Sequence, residues 1–275
     1  MKLAIALFML LFLSSKASFA AVPPFTAFQE ILTAHVKERN LADGGFESDF
    51  NYSNAKNAEV QANILQQMAI LNNFEPSVIA SKEEALAFWI NTYNFFMIAK
   101  VLKDGFDNGV LNIESVKDLG SFFSPYKVFQ QRDFKVSGKL LTLDEIEKNI
   151  LLGVDYQKKQ WKDARIHFAI NCASVGCPPI RASVYTAANI NAILDQNVKM
   201  ALKTKRHFEL TDDSIRVTSL FKWYEDDFSS ESGSIQQWIA GFIDNKILRD
   251  KVLSIKKVDY IDYDWSLNLP KKSSR

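Results

Sequence analysis

Between Lys82 and Lys103 the chain carries Leu86, Phe88, Trp89, Ile90, Phe95, Phe96, Met97, Ile98, Val101 and Leu102, so apolar side chains point in nearly every direction around a helix. A helix of that kind is covered all round, either by protein or by lipid. Ser81 followed by Glu84 is a capping box that fixes where it starts, and Glu83 and Glu84 suit its first turn. The apolar portion runs for about seventeen residues, short of the ~20 a bilayer span needs. Asn91, Thr92, Tyr93 and Asn94 interrupt its centre, where polar groups are costly in lipid. The expectation is a buried core helix and no membrane span in the mature chain. Other segments must then wrap it, and 21 phenylalanines and 5 tryptophans supply the bulk.

Those segments are mostly helical. Periodicity predicts helices over Phe25–Asn40, Glu59–Phe74 and Thr186–Lys203, with a polar, irregular Asp49–Ala58 between the first two. Arg132–Leu143 reads as a hairpin turning at Ser137-Gly138, and Phe208–Leu210 with Ile215–Val217 as another. Thr142 and Glu145 form a second capping box, opening a helix to about Leu152. Ile166, Phe168 and Ile170 alternate with His167, Ala169 and Asn171, the period of a strand. Short helices follow at Ser219–Asp227, Ser234–Ile243 and Asn245–Val252, then a strand at Val258–Tyr263. No regular strand–helix alternation appears. The fold class is α+β: a helix-rich single domain with short antiparallel strands around a buried aromatic-rich helix.

The predicted organisation is a signal peptide over 1–20, an N-terminal helical extension over 21–59, one globular domain over 60–269 and a basic tail over 270–275. Lys2, the apolar run Leu3–Leu13, and Ser18 and Ala20 before a cleavage point make the export signal. Export places the protein in the periplasm or outside the cell. Lys plus Arg is 33 against 32 for Asp plus Glu, so the chain carries no electrostatic footprint for nucleic acid. A small molecule or a protein is the expected partner.

Chemistry concentrates in Arg165–Tyr185, which holds both cysteines and one of three histidines. One reading makes Cys172 a nucleophile, His167 its base and Asn171 the orienting group. On an extended strand, residues five apart face opposite ways, so His167 and Cys172 meet only if the chain turns sharply after Asn171. The competing reading is a Cys172–Cys177 disulfide, with Gly176 supplying a positive φ that lets the short loop fold back. Redox cycling of the pair is a third reading, though the four-residue gap differs from Cys-x-x-Cys. No fourth ligand completes a zinc site, so neither metal nor cofactor is expected. Asn91 and Asn94 are buried amides that tie the core helix to the 171–178 loop or line a pocket. Arg181 and Tyr185 are binding candidates; equally, Arg181 can tie its loop to an acidic neighbour. The acid–aromatic stretch Asp259–Trp265 suits a sugar- or amine-binding groove, or an edge strand.

Two stretches, Ala87-Phe88-Trp89-Ile90-Asn91-Thr92-Tyr93-Asn94 and His167-Phe168-Ala169-Ile170-Asn171-Cys172, together resemble the family catalogued as domain of unknown function 547. Cys177-Pro178-Pro179-Ile180-Arg181 with Tyr185, Leu220–Tyr224 with Asp227-Phe228, and Tyr263–Asn268 extend the likeness across about residues 60–269. The resemblance implies a shared fold unit and no established activity. It also implies a histidine after the second glutamate of the Leu143–Leu152 helix, where this chain has Lys148. Two functions follow as expectations: a thiol-dependent hydrolase or acyl transferase using Cys172 and His167, or a non-catalytic binding module braced by a disulfide.

Overall fold

A computed structural model describes residues 23–271. The predicted export signal over 1–20 lies outside these residues, as does most of the basic tail. The core helix runs Lys82–Asp104, with Ser81 and Glu84 closing the capping box, and every residue from Ala85 to Leu102 is buried. It is long and apolar enough to cross a membrane, yet its apolar stretch is wholly covered by protein. Around it pack Thr26–His35, Ala58–Asn73 and Ile190–Ala201.

Helical periodicity from Phe25 stops earlier than expected. Val36–Asn40 is a strand, paired antiparallel with Phe46–Phe50. Phe50 and Tyr52 then enter the main core, so the region expected to be irregular holds a strand end and a short helix, Tyr52–Ala55. The hairpin Phe134–Val136 with Lys139–Leu141 turns at Ser137 and Gly138, both with positive φ, as a two-residue primed turn requires. The segment after Thr142 keeps its capping box but continues as a π-helix over Glu145–Leu151.

A second, smaller core forms from the C-terminal half around Phe168, Phe221, Phe228 and Trp238. Its three-stranded sheet places Ser214–Thr218 in the centre, antiparallel to Phe208–Leu210 and parallel to Lys257–Ile261. The parallel pair adds to the antiparallel hairpins expected from sequence.

The expected strand over Arg165–Asn171 is not one. Ala164–Phe168 is a 3-10 turn, capped by the Asp163 carboxylate on the Arg165 amide. Its alternation has another origin. The turn is wedged between the two cores: Ile166 and Ile170 enter the larger, Ala164 and Phe168 the smaller. With a core on each side, a period of two arises without a sheet.

Candidate functional site

The loop after this turn carries both cysteines. Cys172 and Cys177 are joined in a disulfide, with Cα atoms 6.3 Å apart. Neither sulfur is therefore a free thiol. Asn171 clamps both ends of the loop, accepting from the Ala173 amide at 2.8 Å and donating to the Pro178 carbonyl at 2.8 Å. The left-handed residue is Ala173, at φ 64°, and not Gly176 as expected. Gly176 serves close approach instead: a Cβ there would lie 2.9 Å from the backbone of Asp264. That contact lets Gly176 and Val175 donate to the carbonyls of Asp264 and Ser266 at 2.7 and 2.8 Å, pinning the loop to the C-terminal segment.

Of the other predicted binding residues, Asn94 braces the start of the loop from the core helix, and Asn91 holds the segment that follows it. Asn91 grips the backbone of Tyr185, donating to its carbonyl at 2.8 Å and accepting from its amide at 2.9 Å. Asn94 donates to the Ala169 carbonyl at 2.9 Å and accepts from the Asn171 amide at 2.8 Å. The Tyr185 hydroxyl accepts from Asn197 at 3.0 Å, and burial pushes its pKa up to about 12. Arg181 pairs with Glu38 at 3.2 Å and lies over the Phe46 ring, so it ties its loop to an acidic neighbour.

Those four residues and Asn171 do not line the main cleft, a cavity of about 420 Å³. His167, Cys172 and Cys177 do, together with Tyr93, Glu147, Tyr224, Tyr263, Trp223 and Trp265 among others. The 3-10 turn replaces the extended strand between them, and His167 and Cys172 open on one cavity.

His167 is buried and oriented. Its Nε2 lies 2.9 Å from the Asp227 carboxylate, and its ring stacks on Tyr224 at 4.0 Å. Lys162 holds the other Asp227 oxygen at 2.6 Å. Burial works to raise the Asp227 pKa, but hydrogen bonds from His167 and Lys162 outweigh it and hold the group below the ordinary range. An ionised carboxylate only accepts, so Nε2 carries the hydrogen that faces Asp227, and Nδ1 points away from it. Nδ1 is buried without a hydrogen-bond partner among the described residues. Unpaired buried polar atoms are rare in folded proteins, and this one belongs to a residue in the wall of a cleft.

Glu147 is the second unsettled group. The π-helix sets Glu147 and Lys148 against the cleft, alongside the Asp144 that precedes it, and π-helical segments recur at functional sites. Asp144 pairs with Lys148 at 2.9 Å, which leaves Glu147 without a salt-bridge partner among the described residues. Burial raises its pKa, against a weaker opposing pull from His167. The Tyr263 hydroxyl donates to Cys177 Sγ at 2.9 Å and lies 3.2 Å from Cys172 Sγ, and burial lifts its pKa above the ordinary tyrosine value.

His167 and both cysteines stand out in the sequence as site residues, whereas Glu147, Asp227 and Tyr224 do not. Signals existed: Glu147 follows the second capping box, and Tyr224, Asp227 and Tyr263 fall in the stretches that carry the family resemblance.

The fold and site define a class: an α+β domain with an aromatic cleft and a disulfide in its wall. Residues 78–200 match the family model described as Protein of unknown function, DUF547, and the chain resembles that family. No curated protein and no solved structure matches it. The matched span supplies the core helix, Glu147, His167 and the disulfide loop; Trp223, Asp227, Tyr263 and Trp265 lie beyond it.

Proposed function

We propose that this chain is a small-molecule-binding protein acting outside the cytoplasm, its cleft braced by the Cys172–Cys177 disulfide. The cleft carries the reading. It has the size of a single small-molecule site, and its wall holds His167, whose Nδ1 has no hydrogen-bond partner among the described residues, and the buried Glu147, which has no salt-bridge partner among them. The disulfide fits an oxidising compartment. The test is a thermal-shift screen of the oxidised protein against neutral sugars, amines, carboxylates and aromatic acids. The reading expects at least one class to raise the melting temperature of the wild type and not of Trp223→Ala. A screen in which nothing shifts the wild type would sink it.

A second reading, thiol-dependent hydrolysis or acyl transfer, draws on one observation: His167, held by Asp227, opens on the same cleft as Cys172. A dithiol reductant would first cleave the disulfide and be oxidised in its place. The Cys172 thiolate would then attack a carbonyl, forming a thioester as the alcohol or amine leaves with the proton taken up by His167. Water would release the acid and regenerate the thiol. Iodoacetamide labelling after dithiothreitol decides. Rapid labelling of Cys172 below pH 7 that slows in His167→Ala supports this reading; labelling at the rate of an ordinary thiol, unchanged in the variant, removes it.

A further inference from the structure

We propose that the cleft takes a neutral saccharide, a statement that rests on its being a ligand site. The lining argues by elimination. Its aliphatic members are Ile170, Leu220 and Pro178 alone, too few to cradle an acyl chain, while aromatic rings dominate. Trp223, Tyr263 and Trp265 form a joined platform, with ring centroids 4.6 to 5.8 Å apart. Trp223 keeps 45 % of its surface exposed, so the platform is open to a ligand.

Charge excludes the ionic alternatives. Lys148 is the sole cation of the lining and is already paired with Asp144. An anion would meet that neutralised lysine and the buried Asp227 carboxylate behind His167. A cation would meet an Asp144 already paired and a Glu147 whose burial favours the uncharged acid.

A sugar ring matches what is left. Its C–H face carries partial positive charge and suits the negative face of an aromatic ring. Around the rings, Gln130, the Asp144–Lys148 pair and the Tyr263 hydroxyl offer donors and acceptors for sugar hydroxyls. Polar groups fixing orientation on an apolar wall are the usual arrangement of such sites.

The test is tryptophan fluorescence of the full chain, disulfide intact and without reductant, so that binding is read independently of any turnover. The probes are neutral trisaccharides of glucose, mannose, galactose and N-acetylglucosamine, set against octanoate, phenethylamine and inorganic phosphate. At least one trisaccharide should bind saturably, and Trp223→Ala should weaken it by about tenfold or more, the loss typical of a central aromatic contact. An unchanged melting temperature confirms that the variant is folded. If octanoate, phenethylamine or phosphate binds and no trisaccharide does, the saccharide inference fails while the ligand site stands. If nothing binds, both fail. Saccharide binding untouched by Trp223→Ala also overturns the inference.

Discussion

Two polar clusters meet at the Cys172–Cys177 loop, and they differ in how their hydrogen-bonding capacity is used. On the core-helix side, Asn91, Asn94 and Asn171 are matched to backbone groups through both their amide nitrogen and oxygen. On the cleft side, among the described residues, His167 Nδ1 has no hydrogen-bond partner and the buried Glu147 makes no salt bridge. Residue type alone does not separate the clusters, since both are polar and buried. The first is complete without a ligand and holds the loop in place. The second is incomplete, as expected of a site that keeps some stability in reserve for function.

The comparison breaks most sharply on Asn94→Ala. Removing that amide leaves the Ala169 carbonyl and the Asn171 amide buried and unpaired, at a cost of about 3 kcal/mol, read as a fall in the denaturation midpoint. A change under about 0.5 kcal/mol would mean the brace is not structural. Opening the disulfide is the next largest effect. Cys172→Ser with Cys177→Ser frees only a short loop, so chain entropy predicts a loss of about 2 kcal/mol, compared by denaturation with the oxidised wild type. A double variant as stable as the wild type would show that Asn171 and the C-terminal pairing hold the loop alone.

Smaller effects come from pH. His207 is buried with both ring nitrogens unpartnered among the described residues, and burial lowers its pKa from 6.5 to about 3. Below pH 6.5 the unfolded chain gains a proton that the folded chain refuses, so stability falls as pH drops from 6.5 towards 3. His207→Leu should flatten that part of the stability–pH curve; an unchanged slope would place the sensitivity elsewhere. On the platform, Trp223→Ala should alter stability by about 1 kcal/mol or less, because the side chain is already half in solvent. A larger loss would make Trp223 a core residue and weaken its role in binding.

Much of this was legible beforehand. The core helix announced itself through unbroken apolar surface and a capping box, and the hairpin at Ser137-Gly138 through its turn residues. The buried amides were visible as polar breaks in that helix; Asn94 meets the expected 171–178 loop at Asn171, whereas the Tyr185 backbone was not foreseen as the partner of Asn91. Three things stayed hidden. The turn at Ala164–Phe168 mimics a strand because two cores, and not two sheet faces, cover it. Asp227 reaches His167 from sixty residues away through the packing of the second core. Glu147 faces the cleft because its helix winds as a π-helix, and its local sequence reads equally well as α.

Glu147→Gln tests the central contrast most directly. Its raised pKa means that the folded state resists ionisation. The stability contribution of this group is complete below pH 4.5 and is lost as pH rises through the folded-state value. Glutamine has nearly the same shape and no charge to bury. The measurement is the unfolding free energy of wild type and Glu147→Gln at pH 4.5 and pH 8. The account predicts a variant more stable than wild type at pH 8, with the gap shrinking towards pH 4.5. A variant less stable than wild type at pH 8, by as much as Asn94→Ala, would place Glu147 in the structural cluster and contradict the account.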